Sequence, residues 1–238
     1  MLYRKSLYLV TDSLKVDQRF QKIKEAVEEK LSCSAHDMSH VMRVYNLCLH
    51  LAENEDLDLE VLQAAALLHD IARVKEDNDP SGKTDHAISS AEMAVPILKD
   101  LGFPKEKIKH IQDCIASHRY RTGDDPKTKE AQILFDADKL DALGAIGIAR
   151  SFVWVGRNNA KIYTNADIEE YIKDNLGGDI NGRIQDKTKH SPQIEFKTKL
   201  KFLTESLHTE KAKEAGKERI EFYKNFLDRL EREINGDL

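Results

Sequence analysis

Cysteines, long apolar runs and strand patterns are all scarce in this chain of 238 residues. Its three cysteines contain no CxxC pair, and their odd number does not favour a disulfide framework, so reduced thiols in a reducing compartment are expected. No apolar stretch approaches the length of a transmembrane helix, and residues 7–10 are too short an apolar core for a signal peptide. We therefore expect a cytoplasmic protein without a membrane partner.

A basic excess is also lacking, since the formal net charge is −5 and the lysines and arginines are spread along the chain. A protein that binds long nucleic acid without sequence preference normally carries a strong cationic stripe. Long nucleic acid is therefore not expected as a partner. A small phosphorylated substrate remains compatible with this charge, because one metal ion and a few cations can hold it.

Apolar residues recur along the chain at helical spacing, and the fold class predicted is all-α. Asp58 and Thr84 are placed to cap the helices that follow them. Residues 130–150 predict two helices or one kinked helix, because Gly144 and Gly147 interrupt them. The last helix, about residues 209–233, carries one apolar stripe that packs either on its own domain or on a second copy in a homodimer.

The residues that point to chemistry are histidines and aspartates inside apolar helical runs. His69 and Asp70 lie within residues 67–72, and burying both without partners would cost free energy. A divalent cation offsets that cost, and imidazole with carboxylate suits manganese, iron, nickel or zinc. His40 and Asp138 lie in similar apolar surroundings. Asp136 lies two residues from Asp138, so a helix directs the two side chains to separate faces.

The order His40, His69-Asp70, Asp138 resembles the H…HD…D pattern of the HD superfamily of metal-dependent hydrolases. Residues 36–44, HDMSHVMRV, look like the first motif of the family, and residues 64–70, AAALLHD, are similar to the second. Residues 136–150, DADKLDALGAIGIAR, resemble the last motif of a branch of small stand-alone HD hydrolases.

The resemblance implies one HD domain over residues 1–238, a helical bundle with a C-terminal helical extension. The core would span about 33–155, a loop and helix insertion about 156–190, and the C-terminal helices about 191–234. It also implies phosphoester hydrolysis with one or two divalent ions, of manganese, nickel, iron, magnesium or zinc.

By motif position, four residues map onto the metal ligands of the family: His40, His69, Asp70 and Asp138. Asp138 is preferred to Asp136 because the last aspartate of the family precedes a basic residue and a leucine. In binuclear members, two histidines between the second and last motifs bind a second metal. His86 and His118 are similar in placement, and they bind either that metal or the substrate.

Asp70, Arg43 and Lys75 are the candidate catalytic residues. Asp70 could orient or deprotonate a water molecule, and Arg43 lies one helical turn after His40, where it could clamp a phosphate or form an ion pair. Lys75 could meet phosphate or stay solvated. Asp141 and His36 are expected to support ligands, although an ion pair for Asp141 and a helix cap for His36 are equally compatible.

Three functions stay open from the sequence. The first is a phosphohydrolase for a nucleotide or another small phosphorylated metabolite. The second is a di-iron oxygenase, which requires that His86 and His118 both bind metal. The third is a non-catalytic sensor that binds a nucleotide, which a missing ligand would favour, but all four core ligands are present.

Overall fold

Helices form the architecture of the protein in a computed structural model, which describes residues 18–31, 38–79, 81, 83–119 and 125–238. None of these residues lies in a strand, which confirms the predicted all-α class. Within the same ranges, no helix combines the length and the apolar character that a membrane span requires.

The chain divides into two compact units, Met1–Phe135 and Asp136–Leu238. The predicted division into a core, an insertion and a C-terminal extension stays a prediction. The helices of the first unit are α1 (residues 18–30), α2 (Met38–Leu51), α3 (Leu59–Leu68), α4 (Arg73–Asp77), α5 (His86–Asp100) and α6 (Lys105–Ala116). Helix α7 (Lys129–Leu140) contains the boundary between the units.

Helix α3 is the central helix of the first unit, with α2, α5 and α6 packed against it. Its sequence LEVLQAAALL is apolar on nearly all sides, and residues 64–68 are fully buried. A helix that is apolar all round is stable only inside a core. The last turn of α3 therefore delivers the next two residues, His69 and Asp70, into the protein interior.

The starts of α3 and α5 show how the local sequence sets the helix boundaries. The Asp58 side chain accepts hydrogen bonds from the backbone N–H groups of Glu60 and Val61, which confirms the predicted cap. The prediction for Thr84 is wrong, because Asp85 caps α5 instead. Thr84 donates its hydroxyl to the carboxylate of Asp79, so its side chain is engaged before the helix begins.

The second unit continues with α8 (Gly144–Arg157), α9 (Ile168–Asn175), α10 (Pro192–Glu195), α11 (Lys201–Leu203) and α12 (Glu210–Asn235). A π-helical turn, Phe196–Leu200, joins α10 to α11. Helix α12 packs on α8, and its predicted apolar stripe is present, with Tyr223 and Leu227 buried. The Tyr223 hydroxyl donates to Ser151 at 3.0 Å.

Helices α7 and α8 are distinct, and the first turn of α8 contains two glycines, Gly144 and Gly147. Gly144 has φ +67°, and a Cβ there would lie 3.1 Å from the Arg219 side chain. At Gly147, a Cβ would lie only 2.2 Å from the carbonyl oxygen of Ala142. The break after Leu140 therefore needs glycine at both positions, for its backbone angle at the first and for close approach at the second.

Candidate metal centre

Five of the predicted side chains converge in the first unit. His40 lies in α2, His69 and Asp70 follow α3 directly, His86 is the first residue of α5, and His118 lies two residues after α6. None of the five is more than 6% exposed. The packing of α2, α5 and α6 on α3 brings these residues together from four separate segments of the chain.

The two carboxylate oxygens of Asp70 face different pairs of histidines. Its Oδ2 lies 3.5 Å from Nε2 of His40 and 3.8 Å from Nε2 of His69. Its Oδ1 lies 3.4 Å from Nε2 of His86 and 3.7 Å from Nε2 of His118. Asp70 is therefore shared by two groups of possible metal ligands, His40–His69–Asp70 and Asp70–His86–His118.

The Nδ1 atoms of three of these histidines contact acceptor oxygens. His69 Nδ1 donates to the carbonyl oxygen of Ala66 at 2.8 Å, and His118 Nδ1 donates to that of Ile115 at 2.6 Å. His86 Nδ1 lies 2.7 Å from Oε2 of Glu76. Because these oxygens accept hydrogen bonds, the hydrogen of each neutral ring is assigned to Nδ1. The lone pair of each Nε2 is then directed to the centre.

The chemistry of this donor set fits divalent metal ions. Nε2 of His69 lies 3.3 Å from Nε2 of His40, and Nε2 of His86 lies 3.3 Å from Nε2 of His118. Facing lone pairs repel each other unless a cation binds them together. Oδ1 of Asp70 is buried and accepts no hydrogen bond within the described part of the chain. Imidazole nitrogen with carboxylate oxygen is a ligand set for borderline divalent cations.

The electrostatics of the centre keep Asp70 ionised. Burial by itself raises the pKa of a carboxyl group, because the charged form loses its hydration. At Asp70 positive charge on the surrounding imidazoles, foremost His69, outweighs burial and holds the pKa well below its usual range. A divalent cation would supply that positive charge beside neutral rings. The carboxylate is thus the charged member of both ligand groups.

Sequence reasoning missed the charged residues that lie behind His86. Besides its contact with His86, Glu76 forms ion pairs with Arg73 at 3.1 Å and with Arg119 at 2.9 Å. Burial raises the pKa of Glu76, but the hydrogen bond to His86 and the two guanidinium groups lower it overall. The signals available in the sequence were the position of Arg119 directly after His118, and Glu76 in the charged segment that follows Asp70.

Asp136 and Asp138 have different contacts in the second unit. Asp136 is fully buried and accepts hydrogen bonds from the backbone N–H groups of His208 and Thr209, at 2.9 and 2.8 Å. Asp136 thus anchors the start of α12. The side chain of Asp138 is 18% exposed, and its Oδ2 lies 2.6 Å from Nζ of Lys139. Its role as a ligand stays a prediction.

The other candidate residues lie in varied surroundings. Arg43 is half-buried on α2, and its guanidinium donates to Ser39 at 3.2 Å. Lys75 is exposed on α4. Asp141 is buried and forms an ion pair with Arg150 at 2.7 Å. His36 lies outside the described residues. The catalytic or supporting roles of these residues remain predictions.

Comparisons with known proteins agree with the all-helical fold and identify the family. The family model of the HD domain matches residues 38–143. The chain is 30% identical over 207 residues to the uncharacterized protein YpgQ of Bacillus subtilis. The matched region covers 85% of this chain and 86% of YpgQ.

Two solved structures extend the likeness to the whole fold. An HD-superfamily hydrolase of Bacillus thuringiensis is 25% identical with a TM-score of 0.66, covering 94% of this chain and 98% of that one. The structure of Bacillus subtilis YpgQ in complex with ADP is also 25% identical with a TM-score of 0.66, covering 92% and 96%. From its sequence relatives, its helical fold and its histidine–aspartate motifs, the chain belongs to the HD-domain family.

Proposed function

We propose that this protein is a metal-dependent phosphohydrolase that cleaves a phosphoester or phosphoanhydride of a nucleotide or of another small phosphorylated metabolite. The observation that carries the proposal is the buried Asp70, whose two oxygens each lie within 3.8 Å of Nε2 of two histidines. Membership of the HD-domain family supports metal-dependent phosphoester chemistry in general.

The proposed ligands of the first ion are His40, His69, Asp70 and Asp138. The proposed ligands of a second ion are His86 and His118, with Asp70 shared between the two. A bound divalent ion lowers the pKa of a water molecule and polarises a phosphoryl oxygen. The mixed nitrogen and oxygen donors favour manganese, iron, nickel or zinc over magnesium.

The protein's own groups would position the reactants. Ionised Asp70 can accept a hydrogen bond from the attacking water and orient it, since its pKa lies well below the usual range. Arg43 follows His40 by one helical turn, and a guanidinium there can contact a phosphate with two N–H groups. Lys75 is the weaker candidate for phosphate contact, because it is exposed on α4.

A nucleotide is the favoured substrate because YpgQ, a relative at 30% identity, has been crystallised in complex with ADP. The net charge of −5 disfavours extended nucleic acid, but it does not argue against a small phosphorylated substrate, which one metal ion and a few cations can hold.

The test is metal content of the purified protein by elemental analysis, together with phosphate and pyrophosphate release from a panel of nucleotides and an aryl phosphate. We expect one or two divalent ions per chain, and hydrolysis that a chelator abolishes and added metal restores. A metal-loaded protein that hydrolyses no member of the panel would refute the proposal.

The second candidate is a di-iron oxygenase, which requires a second metal ion and which the Asp70–His86–His118 group therefore keeps open. Tightly bound paired iron, oxygen consumption with an organic substrate and no phosphate release would establish it. A third outcome, nucleotide binding without turnover at full metal content, would identify a sensor.

A further inference from the structure

His86 differs from His69 and His118 in the group that holds its Nδ1 atom. Backbone carbonyl oxygens accept from His69 and His118, whereas the acceptor for His86 is the carboxylate of Glu76, at 2.7 Å. A carboxylate behind a histidine ligand fixes its tautomer and ring orientation and raises its basicity more than a neutral acceptor does. The ligand strength of His86 therefore depends on a side chain, that of Glu76.

Glu76 is itself held by two arginines. Arg73 contacts its Oε2 at 3.1 Å, and Arg119 contacts its Oε1 at 2.9 Å. The side chains of both arginines are about three-quarters buried, being 25% and 27% exposed. Charge-assisted contacts to both oxygens restrict the carboxylate to one orientation.

Arg119 connects the two histidines of the Asp70–His86–His118 group. It follows His118 directly in the chain, and its other nitrogen contacts Asp85 at 2.9 Å. Asp85 caps α5, the helix that begins with His86. The same guanidinium therefore ties the chain after His118 to the start of α5 and to Glu76.

We propose that Glu76 is a positioning residue that orients His86 toward Oδ1 of Asp70 and strengthens divalent-cation binding at the Asp70–His86–His118 group, with Arg119 as its brace. The inference rests on the metal-binding part of the proposed function, but not on the reaction. Glu76 contacts Nδ1 of His86 and would act on the cation only through that ring, so its removal should weaken one group and leave His40–His69–Asp70 intact.

The experiment is calorimetric titration of the metal-free full chain with manganese(II), compared between the wild type, Glu76→Gln, His86→Ala and Glu92→Gln. The first substitution keeps the shape of the side chain but removes its charge, and Glu92 provides the matched control on the exposed face of α5. We expect two binding events in the wild type and in Glu92→Gln. His86→Ala should lose one of them, and Glu76→Gln should weaken that same event by roughly 10- to 100-fold.

The double variant Glu76→Gln/His86→Ala separates positioning from a general structural effect. If Glu76 acts through His86, the double variant binds manganese as His86→Ala does, with no additional loss. Arg119→Gln gives a second route should Glu76→Gln unfold, and it should weaken the same event by a smaller factor. Equal affinities in the wild type and in a folded Glu76→Gln, or a single binding event in the wild type, would overturn the proposal.

The outcome is independent of catalysis. Two manganese events with the predicted loss in Glu76→Gln support the role of Glu76 even if no phosphate ester is hydrolysed. Conversely, if Glu76→Gln hydrolyses the substrate and binds manganese as the wild type does, the proposed function stands and the role of Glu76 is refuted.

Discussion

His86 in the first unit and His190 in the second are both buried histidines that contact a carboxylate, yet their surroundings differ in one respect. His190 uses both ring nitrogens within the protein: Nδ1 lies 2.9 Å from the hydroxyl of Tyr171, and Nε2 lies 3.2 Å from Oε2 of Glu195. His86 uses Nδ1 for Glu76, while Nε2 is directed toward Asp70.

The comparison shows that burial beside an acidic residue does not by itself indicate a metal ligand. A histidine can bind a cation only through a nitrogen whose lone pair is available. At His190 the two contacts, with the edge of Trp154 at 5.1 Å between ring centres, indicate a structural role. At the Asp70 centre, the Nε2 atoms of four histidines converge on one carboxylate. The following changes test this difference.

Asp70→Asn should have the largest effect. The amide removes the negative charge shared by both ligand groups, and its NH2 group cannot bind a cation. We expect metal affinity and phosphohydrolase activity to fall by at least roughly 100-fold, since even residues that only support ligands contribute about 10- to 100-fold. Elemental analysis and phosphate release measure the two quantities.

The matched control is His190→Gln, which should keep full metal content and activity. Retention of metal by Asp70→Asn would contradict the assignment of Asp70 as a shared metal ligand. Loss of metal from His190→Gln would contradict the structural role of His190.

Asp138→Asn and Asp136→Asn should separate binding from stability within one helix. Because Asp138 is a proposed ligand, its replacement by asparagine should lower metal affinity by roughly 10-fold or more. Asp136→Asn should leave metal affinity unchanged. It should reduce the free energy of unfolding by about 1–3 kcal/mol, because the amide NH2 group would replace one of the two acceptor oxygens and face the backbone N–H donor of either His208 or Thr209.

Metal titration and denaturant unfolding of the metal-free proteins measure the two effects. If both variants lose affinity, or neither does, the assignment of Asp138 in preference to Asp136 fails.

Glu195→Gln should have a smaller effect, confined to stability. Its carboxylate contacts His190 at 3.2 Å and Lys199 at 2.8 Å, so the neutral amide should lower the free energy of unfolding by about 1–2 kcal/mol. Metal content should not change. Thermal unfolding and elemental analysis check the two parts, and a loss of metal would contradict the structural role of the His190 network.

The smallest effect expected is one of pH. Acid should diminish the difference in the free energy of unfolding between the wild type and Glu195→Gln. Burial raises the pKa of Glu195, but Lys199 and His190 outweigh it, so the pKa in the folded protein lies below the ordinary value of 4.5. The unfolded chain then binds the proton more readily, and the stabilisation is complete above pH 4.5 and lost as the pH falls below it. Urea unfolding of both proteins at pH 7 and at about pH 3.5 measures the change. A difference that grows in acid would have the wrong sign.

Much of the site was predictable because its signals are local. The apolar runs around His40 and around His69-Asp70 predict burial, and buried imidazole beside carboxylate predicts a cation. The resemblance of the motifs to the HD superfamily added His86 and His118 as candidates. Helix boundaries depend on finer local competition, as the cap at Asp85 shows, where Thr84 is already bound to Asp79.

The sequence alone determined the all-α class and the histidine and aspartate candidates, because helical periodicity and motif spacing involve residues a few positions apart. Only the tertiary structure decided that each oxygen of Asp70 faces its own pair of histidines. It also decided that Glu76 is held by Arg119, and that His190 is closed in by Tyr171 and Glu195. Most of these contacts join residues that are distant in the chain, so they depend on how the helices of each unit pack.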